Sequence, residues 1–110
     1  MKNNLLDLIK NLNTVLEVRS ELLADGAKKY HDVDEESMGI WLLIPTKDDP
    51  DATNYKLAAG IYAKAGDNPM ITVNLNSTAF YKKLKGTPSA EEVIDAIYEG
   101  AEELGYDIDL

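Results

Sequence analysis

The stretch NSTAFYKKLKG, residues 76–86, reads as a short helix, and that reading sets the element order of the whole chain. Asn76 or Ser77 supplies an N-cap, the helix ends near Leu84, Lys82, Lys83 and Lys85 lie toward its negative end, and Gly86 follows it. Every strand must then be sought upstream of residue 76, and everything after it is helical.

Three upstream segments carry strand patterns. Residues 39–45, GIWLLIP, form a short continuous apolar run closed by proline, the mark of a buried central strand, and Trp41 within it is assigned to the core. In residues 55–64, Tyr55, Leu57, Ala59, Ile61 and Ala63 alternate with Lys56, Ala58, Gly60, Tyr62 and Lys64, and this period of two argues for a second strand, although the alanines also suit a helix. Residues 70–75 place Ile71, Val73 and Leu75 on one face of a third. The polar stretch KKYHDVDEES and the turn-rich TKDDPDATN and AGDNP read as connections, and the short ones favour an antiparallel meander.

Helices flank this sheet. From residue 5 to 23 the apolar residues Leu5, Leu8, Ile9, Leu12, Val15, Leu16, Leu22 and Leu23 recur at helical spacing within an arc of about 140°. Asn4 is the expected cap, Asp7 falls in the first turn and Gly26 lies just past the end. Arg19 falls inside the apolar arc, so either its stem lies along the stripe with its head in water, or it forms a salt bridge within the core or across a dimer seam. The spare apolar area of this helix makes a homodimer an expectation. The last helix starts either with Thr87 as cap and Pro88 in the first turn, or with Ser89 as cap and Glu92 closing a capping box; it runs to about Leu104 and stops at Gly105. The expectation is a single α+β domain over residues 1–110: an N-terminal helix, a three-stranded antiparallel sheet and two C-terminal helices, α-β-β-β-α-α.

The formal charge of -9 is unevenly spread. Residues 1–85 hold all 11 Lys and Arg against 12 acids, whereas residues 86–110 hold 8 acids and no base. On a helical wheel, Val93, Ile94, Ile97, Ala101 and Leu104 span about 100° of one side of the last helix, while Glu91, Glu92, Asp95, Glu99, Glu102 and Glu103 occupy about 120° of the other. Tyr98 lies between the two faces. Like charges four residues apart each cost a few tenths of a kcal/mol, and Glu102 and Glu103 oppose the dipole at the helix end. Local stability therefore does not account for the stripe. Two readings compete for it: a solvated face that keeps an acidic protein soluble, or, with carboxylates spaced about 6 Å apart along a rigid rod, a line of negative potential suited to a basic groove. The candidate partner-binding residues are Glu91, Glu92, Asp95, Tyr98, Glu99, Glu102 and Glu103, and the expected partner is a protein with a basic, even nucleic-acid-binding, surface.

Other function classes find less support. An acidic chain with a pI of about 4.4 is unsuited to binding nucleic acid directly or an anionic membrane. No segment approaches the roughly 20 apolar residues that span a bilayer, and there is no cysteine, so a cytoplasmic location is expected. The acidic runs at 32–36 and 48–51 fail the calcium-loop pattern: from Asp32 the glycine position holds Ser37, and from Asp49 it holds Asn54. His31 is the only histidine, no catalytic or phosphate-binding motif is present, and no catalytic residue, metal or cofactor is expected. The chain thus reads as a small non-enzymatic protein-binding module, an inhibitor of the anti-defence or immunity kind or an adaptor. The alternative is a metabolite-binding or catalytic domain with a site around His31, with Asp32 or Asp34, and the sheet edge.

Overall fold

A computed structural model describes residues 2–32, 37–53, 56–64 and 68–106. The elements run α1 (Lys2–Ala24), β1 (Lys28–Asp32), β2 (Ser37–Leu43), β3 (Leu57–Lys64), β4 (Met70–Leu75), β5 (Thr78–Lys83) and α2 (Ala90–Glu103). The strands form one antiparallel meander in the order β1-β2-β3-β4-β5, with α1 packed on β2 and β3, and α2 on β4 and β5. Both helices cover the same face of the sheet. The expected three strands and two C-terminal helices are overturned: the described residues hold five strands and, after the sheet, a single helix.

The first correction falls on residues 76–84. Leu75 pairs with Thr78, so Asn76 and Ser77 are the turn of a two-residue hairpin instead of a helix cap. Asn76 takes φ 56°, a left-handed conformation that asparagine tolerates better than most residues. Within TAFYKK, Phe80 and Lys82 pair with Val73 and Ile71 toward the helices, whereas Ala79 and Tyr81 pair with Asn74 and Thr72 on the other face. Of the lysines that resemble a helix end, Lys82 and Lys83 instead lie on an edge strand, where such charges discourage pairing with another sheet.

The second correction is β1, a strand where the sequence shows only polar residues. It is the opposite edge of the sheet, and its register shifts between Lys29 and His31, a bulge that also blunts the edge. β2 starts two residues earlier than expected and ends before Ile44 and Pro45, which remain buried. Tyr55 lies outside the described residues.

The core gathers Ile40 and Leu42, Leu57, Ala59 and Ile61, and Ile71 and Val73 from the three central strands. Val15, Val18 and Leu22 of α1, and Ala90, Val93, Ala96, Ile97 and Ala101 of α2, close over them. Trp41 is not in this core. It has the opposite parity to Ile40 and Leu42, so it lies half-buried on the helix-free face, flat against Gly60, where an added Cβ would sit 2.7 Å from Trp41 Cε2.

α1 is longer than expected and turned. Asn4 lies inside the helix, so it is not the cap. The far end closes as read: Gly26, at φ 103°, donates its N–H to the Leu23 carbonyl (3.1 Å) and Ala27 to that of Leu22 (2.9 Å). The face turned inward comprises Asn11, Thr14, Val15, Val18 and Leu22, while Leu12, Leu16 and Leu23 remain 37%, 46% and 36% exposed. A long-range bond holds this orientation: Thr14 Oγ1 donates to the Pro88 carbonyl at 2.9 Å, just before α2 begins. Arg19 is half-buried, and its Nε has no hydrogen-bond partner among the described residues. No helix among the described residues is long and apolar enough to cross a membrane.

Candidate functional site

α2 is fixed at both ends. Ser89, in extended backbone at φ -74° and ψ 162°, accepts from the Glu92 N–H at 3.2 Å, and Glu92 Oε1 accepts from the Ser89 N–H at 3.4 Å. Of the two starts the sequence offers, the capping box is the one used. At the other end, Gly105 takes φ 87° and donates to the Glu102 carbonyl, while Tyr106 donates to that of Ala101. The inner face is built from small residues and allows close approach to the sheet: a Cβ on Gly100 would stand 2.6 Å from Phe80 Cδ1 and 2.7 Å from Val73 Cγ2.

This packing leaves the acids outside. Glu91, Glu92, Asp95, Glu99, Glu102 and Glu103 are all exposed, as their spacing requires. Glu92 serves the cap, and Glu99 Oε2 meets Lys82 Nζ at 2.6 Å across to β5. That pair is well exposed and adds at most about 1 kcal/mol. Glu91, Asp95, Glu102 and Glu103 have no ion-pair partner among the described residues. Glu99, Glu102 and Glu103 share a shallow open depression at the end of the helix.

Tyr98 is half-buried at the border of this face. Burial pushes its phenol above the ordinary value of 10.0, and the carboxylates of Asp25 and Asp95 add to the shift. Asp25, just past the end of α1, thus lies within electrostatic reach of Tyr98 on α2, which spacing along the chain could not reveal. The folded state holds the phenolic proton more tightly than the unfolded chain does. Its stabilising contribution is therefore complete below the unfolded pKa and is lost as pH rises through the folded one. Urea unfolding at a series of alkaline pH values should show stability falling more steeply above pH about 10 than in Tyr98→Phe. Equal slopes in the two proteins would contradict the burial of Tyr98.

The other sequence candidates fall elsewhere. Asp49, expected on an exposed loop, is 4% exposed: Oδ1 accepts from the Thr53 N–H (2.9 Å) and hydroxyl (3.0 Å), and its backbone bonds reciprocally with that of Thr46. It builds the loop. Asp48 pairs with Lys56, whose ammonium also lies 5.4 Å from the centre of the Tyr106 ring. No three His, Asp or Glu side chains among the described residues are grouped to hold a metal ion. The backbone of His31 pairs with that of Trp41. The His31 and Asp32 side chains, and residues 33–36 with Asp34, lie outside what is described. Beside this edge, Lys28, Lys29, Tyr30, Leu43, Ala52 and Thr53 line an open depression.

Sequence reasoning missed the helix-free face of the sheet. Trp41, Gly60, Thr72 and Tyr81 stand in one row across four strands, with Tyr62 one step along β3 and Tyr81 strongly exposed. The available signal was the parity of Trp41 against Ile40 and Leu42. Comparison with protein-family models, with curated proteins and with solved structures finds no match to this chain.

Proposed function

We propose that this protein is a binding module that docks the outer face of α2, with Tyr98 at its border, on a basic surface of a partner protein and acts there as an inhibitor or adaptor. The observation that carries this reading is a rigid helix, capped at both ends and anchored to the sheet, whose outer face bears six exposed carboxylates, of which only Glu99 is offset by a described cation. Glu92 serves the cap and Glu99 meets Lys82, but intramolecular contacts among the described residues give no such reason for Asp95, Glu102 and Glu103. A partner's lysines and arginines would relieve the mutual repulsion, so part of the binding energy is already set up in the free protein.

The test compares the protein with a variant carrying Asp95→Asn, Glu99→Gln, Glu102→Gln and Glu103→Gln. As bait in lysate at about 50 mM and about 300 mM salt, the parent should retain a basic protein at the lower salt and release it at the higher. The variant should keep its fold, with stability unchanged or slightly raised, and lose that retention at both. Retention by the variant equal to the parent's would refute docking through α2 and turn attention to the sheet edge at β1, with His31→Ala as the next variant.

A further inference from the structure

α1 divides its apolar residues between two surfaces. Val15, Val18 and Leu22 enter the core, but a second line of side chains faces outward, and Leu12, Leu16 and Leu23 on it are exposed. Leu12, Leu16, Arg19 and Leu23 are separated by alternating steps of four and three, and the same spacing in the sequence continues back through positions 9 and 5, Ile and Leu. That is the heptad spacing of a helix that packs lengthwise against another helix.

We propose that this seam is covered by α1 of a second copy of the chain, lying antiparallel about a twofold axis near Thr14. Three observations select this occupant. Copies of a protein of charge -9 repel each other, yet α1 itself is neutral, with Lys2, Lys10 and Arg19 against Asp7, Glu17 and Glu21. The charges also divide by half: residues 2–13 carry two bases and one acid, and residues 14–24 carry one base and two acids. Antiparallel pairing sets the positive half of each helix against the negative half of the other, whereas parallel pairing sets like against like and stacks Arg19 on its own mate. Finally, the spacing is symmetric about residue 14. Position 5 faces 23, 9 faces 19 and 12 faces 16, so leucine meets leucine at four of the six places, and Arg19, half-buried with its Nε unpartnered among the described residues, faces Ile9. A single charged residue in an aliphatic seam sets orientation in helix pairs.

The strip is about 34 Å long and about 10 Å wide on each copy, which lies at the small end of specific interfaces. The dimer should therefore form in the micromolar range. This inference is independent of the acidic face of α2.

Sedimentation of the full chain from about 5 to about 200 μM tests it. The mass should rise from 12.1 kDa toward twice that value. Leu16→Glu should leave the circular dichroism spectrum intact and weaken association at least about tenfold; Leu16→Ser, a milder change, should weaken it less. Orientation is read by disulfide trapping, since the chain has no cysteine of its own. Oxidising a mixture of Leu12→Cys and Leu16→Cys should join the two variants to each other faster than either joins to itself. A parent that stays monomeric throughout, or a dimer indifferent to both Leu16 variants, overturns the seam. Faster self-joining of Leu16→Cys overturns the antiparallel arrangement.

Discussion

Gly100→Val should lower the free energy of unfolding by about 3 kcal/mol in urea titrations, with the denaturant slope unchanged. Helix propensity alone predicts nothing of the kind, because glycine is among the worst residues for a helix interior and almost any replacement should help by up to about 1 kcal/mol. The cost comes from contact. A Cβ at this position meets Val73 at 2.7 Å and Phe80 at 2.6 Å. Phe80 is half-buried and can swing aside, but Val73 is fully buried on a central strand and stiff at χ1, so the helix must lift off the sheet. Gly100→Ala should suffer the same clash less severely, with a net loss of about 1 kcal/mol after its gain in propensity. Val73→Ala should then absorb part of it, so the double variant loses less than the sum of the singles. A Gly100→Ala protein more stable than the parent would show that α2 does not ride on the sheet as closely as described. Because α2 carries the acidic face, Gly100 also fixes where that face is presented.

The same glycine shows where sequence reading runs out. α2 was legible in outline: the Ser89–Glu92 capping box, the stop at Gly105 and the sorting of acids from apolar residues all follow from local chemistry, and the structure uses each. β4 was legible to the residue, because Ile71 and Val73 alternate with Thr72 and Asn74 between clear turn signals. The reason for glycine at position 100 was not, since it lies in side chains 20 and more residues away. β5 failed for another reason. An edge strand needs only one apolar position, Phe80, on its covered face, and with Thr78 and Lys82 beside it there, the pattern that separates strand from helix is lost. β1 has the same defect, with no apolar alternation to announce it. Strand pairing satisfies their backbones in either case, and pairing is decided by the neighbouring strand rather than by the residues of the edge.

α1 was legible as a helix and illegible in its orientation, which sets up an expected contrast between two leucines. Leu22→Ala should cost about 3 kcal/mol, whereas Leu16→Ala, measured at about 1 μM protein to keep the chain monomeric, should cost no more than about 0.5. Both residues belong to the single apolar arc drawn from the sequence, and on that reading their losses should be alike. The structure separates them: Leu22 is 2% exposed beside Val18 in the core, and Leu16 is 46% exposed. What turns the helix is a polar contact spanning 74 residues, the Thr14 hydroxyl on the Pro88 carbonyl. Turning the leucine stripe fully inward would withdraw Thr14 from that carbonyl, and a buried carbonyl left without a partner costs about 1–3 kcal/mol. Equal losses at Leu16 and Leu22 would mean that the leucine stripe faces the sheet in solution after all. A large difference would confirm that α1 keeps one apolar line for its own core and leaves a second on its surface.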